Sequence, residues 1–241
     1  MKKVPKYVSP TSLYMADEIA EMFRRFAVQR PYPVSDLVFH NNFTLLVAVV
    51  LSAQATDVGV NKATKDLFAF ADTPEKMLAL GEARIGQLIR TIGLWRAKAK
   101  NVYALCVKLV NEHGGRVPET RASLMALPGV GRKTANVVLN VAFGQPSLAV
   151  DTHIFRISNR LGIAYGRTPD QVEEQLLRLI PPFYLRHAHN WLILHGRYIC
   201  KARKPSCEAC IIADLCKAAV KTNAVPAPLV EIQGNGKPVA G

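Results

Sequence analysis

The sequence predicts an all-α protein, and three observations carry that prediction. Strict apolar–polar alternation is scarce, and most windows instead repeat apolar residues at intervals of three and four. The composition is 49% hydrophobic and 20% charged over 241 residues, enough for a sizeable core and incompatible with wholesale disorder. Capping residues and prolines also sit where helices should start. A first helix is expected from Ser12 to Phe26, with Leu13, Met15, Ile19, Met22 and Phe26 on one face; Pro31 and Pro33 close it. A second, Asn42–Leu51, is apolar almost all round and therefore buried. A third, Asp57–Phe70, takes Asp57 as its N-cap. Thr73-Pro74-Glu75 reads as a capped start with proline in the first turn. Helices over 82–91 and 96–113 follow, broken at Ile92-Gly93-Leu94-Trp95. Next come a short helix (Arg121–Ala126), a tight turn (127–131) and a longer helix (Arg132–Ala142). Beyond the Phe143–Leu148 connection, helices are expected at Thr152–Leu161, Asp170–Leu179 and Leu185–Gly196, before a cysteine-rich stretch over 200–216. Residues 221–241 show no periodicity and read as a disordered tail.

The chain carries 31 Lys and Arg against 18 Asp and Glu, a formal charge of +13. A folded protein this basic favours a polyanionic partner such as nucleic acid over an anionic membrane surface. The basic N-terminal residues have no apolar stretch behind them, so no targeting segment is read. The longest apolar run, Leu45–Leu51, falls far short of the roughly 18 residues a membrane span needs. A cytoplasmic protein is expected, in a reducing compartment where the five cysteines stay out of disulfides.

Leu127-Pro128-Gly129-Val130-Gly131 joins two helices and runs directly into Arg132-Lys133-Thr134. Glycines at 129 and 131 permit backbone angles that expose consecutive N–H groups, and the next helix contributes its own unpaired ones. Such a concavity takes phosphate, aided by the helix dipole. Val130 is small enough to let a phosphodiester approach. The spacing is that of a helix-hairpin-helix, which grips DNA backbone without reading sequence; a plain helix break is the bland alternative.

Cys200, Cys207, Cys210 and Cys216 form C-x6-C-x2-C-x5-C, a soft-ligand metal site. Zinc usually takes two close knuckles, and only the central pair here is close, so a cubane iron–sulfur cluster fits better, with zinc as the alternative. Lys201, Arg203 and Lys204 lie between the first two ligands and Arg197 just upstream; they suit DNA phosphates, or simply offset the negative charge of a cluster. Cys106, in an apolar helix, reads as an inert buried thiol. Lys133 stands in the first turn after the phosphate turn, where an amine beside a sugar-phosphate can form a Schiff base or merely bind phosphate. Asp151 reads as an N-cap, or as a carboxylate able to steady an oxocarbenium-like sugar. His153 is either a support or a core residue.

The segment LPGVGRKTANVVLNVAFGQPSLAVDTHIFRISNRLG (127–162), the earlier LSAQATDVGVNKAT (51–64) and the cysteine loop together resemble the endonuclease III family. These are bifunctional DNA glycosylases and AP lyases of the helix-hairpin-helix superfamily, and the likeness spans about 15–216. It implies a two-lobed, all-α helix-hairpin-helix DNA glycosylase fold. One lobe is a six-helix barrel at 35–145; the other, 1–34 plus 146–220, carries a [4Fe–4S] cluster on the four cysteines. It also implies Lys133 as Schiff-base nucleophile, Asp151 as catalytic carboxylate, Gln54 as the plug for the space left by an extruded nucleotide, and Leu94 as a wedge. Leu94 alone reads equally as a loop residue packing inward. The partner implied is duplex DNA bearing oxidised pyrimidines or abasic sites, with a monomer sufficient. Mismatch glycosylases of the same fold, a non-catalytic DNA-binding protein and an RNA-binding module are the rivals; Lys133 argues against the first and the lack of an aromatic platform against the last.

Overall fold

A computed structural model describes residues 12–33 and 35–219. The predicted tail, 221–241, lies outside them. Among the described residues all regular structure is helical: α1 (Ala16–Gln29), α2 (Asn42–Ser52), α3 (Asp57–Phe70), α4 (Pro74–Leu88), α5 (Trp95–His113), α6 (Arg121–Met125), α7 (Arg132–Phe143), α8 (Thr152–Leu161), α9 (Pro169–Leu179) and α10 (Pro182–Leu194). A π-helical turn (His195–Ile199) and a 3-10 turn (Cys207–Ala209) follow. No described helix is long and apolar enough to cross a membrane.

The chain divides into two compact units. One, the hairpin unit, is Ser35–Ala149 and holds α2–α7. Its centre is α2, where every residue from Phe43 to Leu51 is buried. Each fully buried leucine there contributes about 2 kcal/mol. Around it pack Val60 and Leu67 of α3, Met77 and Ile85 of α4, Val102 and Leu105 of α5, Leu124 of α6 and Val138 of α7. Gly86 lets α4 lie close on α5, since a Cβ there would stand 3.0 Å from the Trp95 ring. Cys106 is fully buried in this core and its thiol is pushed up to about 12 by desolvation. The connection after α7 stays with this unit because buried amides hold it. Asn136 Nδ2 donates to Leu148 O at 3.1 Å, Asn140 Nδ2 to Ser147 O at 3.1 Å, and Ser147 Oγ to Asn136 O at 2.7 Å.

The second unit, the cysteine-loop unit, is made of the described residues on either side. Phe23 of α1 stacks on Tyr184 of α10 with centroids 6.2 Å apart, and Trp191 Nε1 donates to Arg30 O at 2.8 Å. Phe26 meets the buried His195 ring edge to face at 5.2 Å.

Several boundaries differ from expectation for local reasons. The first helix starts at Ala16, not Ser12: Glu18 reaches back to accept from the Met15 N–H at 2.8 Å, while Leu13 N–H is diverted to Gly162 O. Leu13 and Met15 are exposed. Thr56, not Asp57, caps α3, its side chain accepting from Gly59 N–H. The predicted helix over 82–91 is the second half of α4, which runs through a kink at Gly81 (φ 75°) and ends at Leu88. The last long helix begins at Pro182 and widens into the π turn at His195 instead of ending at Gly196.

Candidate functional site

In the hairpin unit, the turn between α6 and α7 is built by packing beneath and openness above. Leu127 and Val130 are 2% and 6% exposed, anchoring the turn in the core. Val130 N–H donates to Leu127 O at 3.1 Å. The Val130 side chain therefore supports the turn from inside and does not project above it. The two glycines also differ. Gly129 takes φ +77° with Asn101 3.0 Å from where a Cβ would be, so only glycine fits. Gly131 has φ −90°, an ordinary extended angle, and needs no glycine for conformation; what it offers is open space, with nothing within 4 Å of a Cβ position. Gly131 is the N-cap of α7 and supplies no side-chain cap. The N-terminal end of the helix thus opens onto a bare surface, the arrangement that accepts an anion. Arg132 and Lys133 are the first two residues of α7, half-buried and exposed respectively.

Two further candidates of this unit share an unusual backbone. Gln54 (φ 54°) and Leu94 (φ 59°) are left-handed without being glycine, a conformation costing about 1 kcal/mol or more each. Both are exposed, Leu94 at 61% despite its apolar side chain. Leu94 therefore points outward, and inward packing is excluded. The two loops are neighbours, since a Cβ on Gly93 would lie 4.0 Å from Gln54 O. The third left-handed non-glycine residue among those described is Lys204, in the cysteine loop. Positive φ at such residues has no signature in sequence, so nothing there groups these three.

In the cysteine-loop unit, Asp151 caps α8, its Oδ1 accepting from Ile154 N–H at 2.8 Å. His153 packs by its Cβ against Gly196, where an added Cβ would stand 3.0 Å away, so it supports the π turn. Two arginines one helical turn apart on α8, neither anticipated from sequence, hold the start of the loop. Arg156 donates to Gly196 O (2.7 Å) and Cys200 O (3.1 Å). Arg160 donates to Lys201 O (2.6 Å) and Ala202 O (2.9 Å) and reaches Cys200 Sγ at 3.6 Å. The far end of the loop is tied to α1: Arg25 pairs with Asp214 (2.8 Å) and donates to Ile211 O, and Lys217 pairs with Glu18 (2.6 Å). These partners hold the carboxyl groups of Asp214 and Glu18 below their ordinary range. Lys201, Arg203 and Lys204 are exposed, whereas Arg197 is half-buried in the π turn.

Cys200, Cys207, Cys210 and Cys216 all line one shared pocket, together with Leu161, His195 and Ala213. Its lining is almost wholly apolar. His195 Nε2 lies 3.8 Å from Cys210 Sγ, and burial pushes this histidine down to about 4. Among the described residues no three Cys, His, Asp or Glu side chains converge as ligands of a single metal ion would.

An all-helical fold with a bare hairpin turn at a helix N-terminus and a four-cysteine loop defines a helix-hairpin-helix protein. Residues 47–182 match the HhH-GPD superfamily of base excision DNA repair proteins, and residues 200–216 match the iron–sulfur binding domain of endonuclease III. The chain is 56% identical to endonuclease III of Rickettsia conorii over 201 residues, covering 83% of this chain and 96% of that one. A solved trapped endonuclease III–DNA covalent intermediate superposes with a TM-score of 0.79 at 45% identity, covering 85% of this chain and 97% of the other. A thermostable thymine-DNA glycosylase is more distant, with a TM-score of 0.71 at 26% identity over 84% and 93% of the two chains. The chain belongs to the endonuclease III family.

Proposed function

We propose that this enzyme is a DNA glycosylase and AP lyase that removes oxidised pyrimidines from duplex DNA and then cleaves 3′ to the abasic site. The observation that carries the reading is the pairing, on one helix end, of an open anion cradle at Gly131 with the exposed amine of Lys133, the second residue of α7. A phosphate held at the cradle would bring its sugar within reach of that amine.

The hairpin and the cations Arg132, Arg197, Lys201, Arg203 and Lys204 grip phosphates without reading sequence, and that affinity falls with salt. Gln54 and Leu94, presented in left-handed loops, take the place of a pyrimidine turned out of the stack. Lys133 forms a bond from Nζ to C1′ as the bond from C1′ to the base breaks. Asp151, whose side chain is already ordered by capping α8, steadies the positive sugar. The departing base takes the proton lost by the amine, leaving a ring-closed aminal. Its C1′–O4′ bond then breaks, O4′ gaining a proton, to give a protonated imine that acidifies the C2′ proton. Loss of that proton expels the 3′ phosphate by β-elimination. The covalent DNA complex of the endonuclease III relative supports this route over attack by water.

The donor set of the cysteine loop fits one [4Fe–4S] cluster. Four thiols spread around a shared apolar pocket, instead of converging on a point, suit four irons bound one thiolate each. When bound, the cluster supplies a rigid cross-link across residues 200–216, with one-electron redox capacity. Arg156 and Arg160 position the loop for it, and Lys201, Arg203 and Lys204 face outward. We place the enzyme in the cytoplasm, at the nucleoid when bound to DNA, acting as a monomer.

The test is borohydride trapping on duplex DNA containing thymine glycol. Wild-type protein should form a covalent adduct and Lys133→Ala should form none while still binding the duplex. Normal trapping by Lys133→Ala would refute the assignment.

A further inference from the structure

Arg160 reaches three consecutive residues at the start of the cysteine loop: Cys200 Sγ, Lys201 O and Ala202 O. The two carbonyl bonds have an ordinary explanation, since a guanidinium fork fixes an irregular backbone well. The approach to sulfur does not. The carbonyl of the same cysteine is already held by Arg156, one helical turn earlier, so Cys200 needs no second anchor for its backbone. Arg160 itself has little freedom. It lies in the last turn of α8, where the left-handed cap at Gly162 ends the helix and a cation is favoured by the dipole. Within and immediately beyond the segment it grips stand the exposed Lys201, Arg203 and Lys204, the last strained at φ 51°. A strained lysine holds its conformation only when its surroundings over-determine it.

We propose that Arg160 is a positioning residue that couples the metal ligand Cys200 to the basic loop, raising the reduction potential of the bound cluster and fixing the loop cations for DNA phosphates with one side chain. The inference rests on the iron–sulfur reading above. A cluster bearing four thiolates gains negative charge on one-electron reduction. A guanidinium donating to a ligand sulfur stabilises the reduced state more than the oxidised one. The same fork holds Lys201 and Ala202, so its removal frees the segment that carries the cations.

Arg160→Gln and Arg160→Lys, as full chains, test it. Both are first assayed for iron and sulfide. In Arg160→Gln the reduction potential of DNA-free protein should move to more negative values. The dependence of DNA affinity on salt should become shallower by about 0.9 in log–log slope for each phosphate the loop no longer neutralises. Arg160→Lys keeps the charge without the fork, and should stay nearer the wild-type potential while sharing the shallower slope. An unchanged potential or an unchanged slope in an iron-replete Arg160→Gln overturns the proposal. So does loss of iron from both variants, which would make Arg160 a structural clamp alone. Wild-type protein lacking iron would instead refute the cofactor reading on which this one stands.

Discussion

The hairpin turn and the cysteine loop both present cations and backbone to solvent, yet they are shaped by opposite means. The turn is held from below by its own neighbours: Leu127 and Val130 lie in the core, Gly129 adopts the required left-handed angle, and Val130 N–H bonds three residues back. The loop has little core of its own. It is pinned by partners 40 to 200 positions away in sequence, such as Arg160 to Lys201, Arg25 to Asp214 and Glu18 to Lys217, and by whatever its four thiols bind. A short segment can thus be rigid because it is locally determined, or because distant elements and a metal determine it. The two cases should fail differently.

The largest effect expected is on the loop. Cys207→Ser should abolish the broad visible absorbance and cost several kcal/mol, because a structural metal site contributes folding energy outright. The damage should be confined to one unit. Hydrogen exchange should speed over 200–216 and leave α6 and α7 protected, and equal loss in both would erase the distinction. Next in size is Asp151→Asn. Asparagine caps a helix about as well as aspartate, so the melting temperature should shift little while excision falls roughly hundredfold, the scale of a missing catalytic carboxylate. Parallel loss of stability and activity would reduce Asp151 to a cap.

Smaller effects separate the two glycines of the turn. Gly129→Ala should cost about 2 kcal/mol in denaturant unfolding, from the left-handed angle and the crowding by Asn101. Gly131→Ala should cost less, about 1 kcal/mol from the poorer N-cap, but weaken DNA binding, because its Cβ would project into the cradle. Acid should distinguish the units most gently. Glu21 is held at about 2 by Arg24 and Arg25, and Asp214 and Glu18 are also depressed by their basic partners. A carboxyl group depressed on folding stabilises above its ordinary range, here near 4.5 for glutamate, and that stabilisation fades as pH falls towards 2. Glu18 and Glu21 are half-buried and Asp214 is exposed, so water still screens these pairs and each contributes little. The two tryptophans report separately, Trp191 from the cysteine-loop unit and Trp95 from the hairpin unit. As pH falls from about 5 towards 2, Trp191 emission in Trp95→Phe should change first.

What is legible in the sequence follows the same division. The bounds of α3 and α8, the buried α2, the hairpin and the four cysteines are all readable, because apolar period, capping chemistry and ligand spacing are local properties. The start of α1 is not, since a side-chain bond from Glu18 competes with the apolar pattern there. Thr56 and Asp57 are adjacent and both good caps, so pattern alone cannot choose between them. Arg156 and Arg160 look like the polar face of an amphipathic helix until α8 meets the loop. The inward turn of Val130 and the left-handed angles of Gln54, Leu94 and Lys204 are set by tertiary packing and leave no trace in composition.

The five residues of the π-helical turn, His195–Ile199, lead directly into Cys200, the first of the four cysteines of the loop. A π turn amounts to one residue inserted into an α-helix. Rewinding the same residues as ordinary α-helix would carry Cys200 about 100° further around the helix axis, away from Cys207, Cys210 and Cys216. A stretch that looks like an unremarkable helix end is therefore a register lock. A further residue inserted within these five positions, of the kind that surface segments usually absorb, should turn Cys200 away from the other three cysteines.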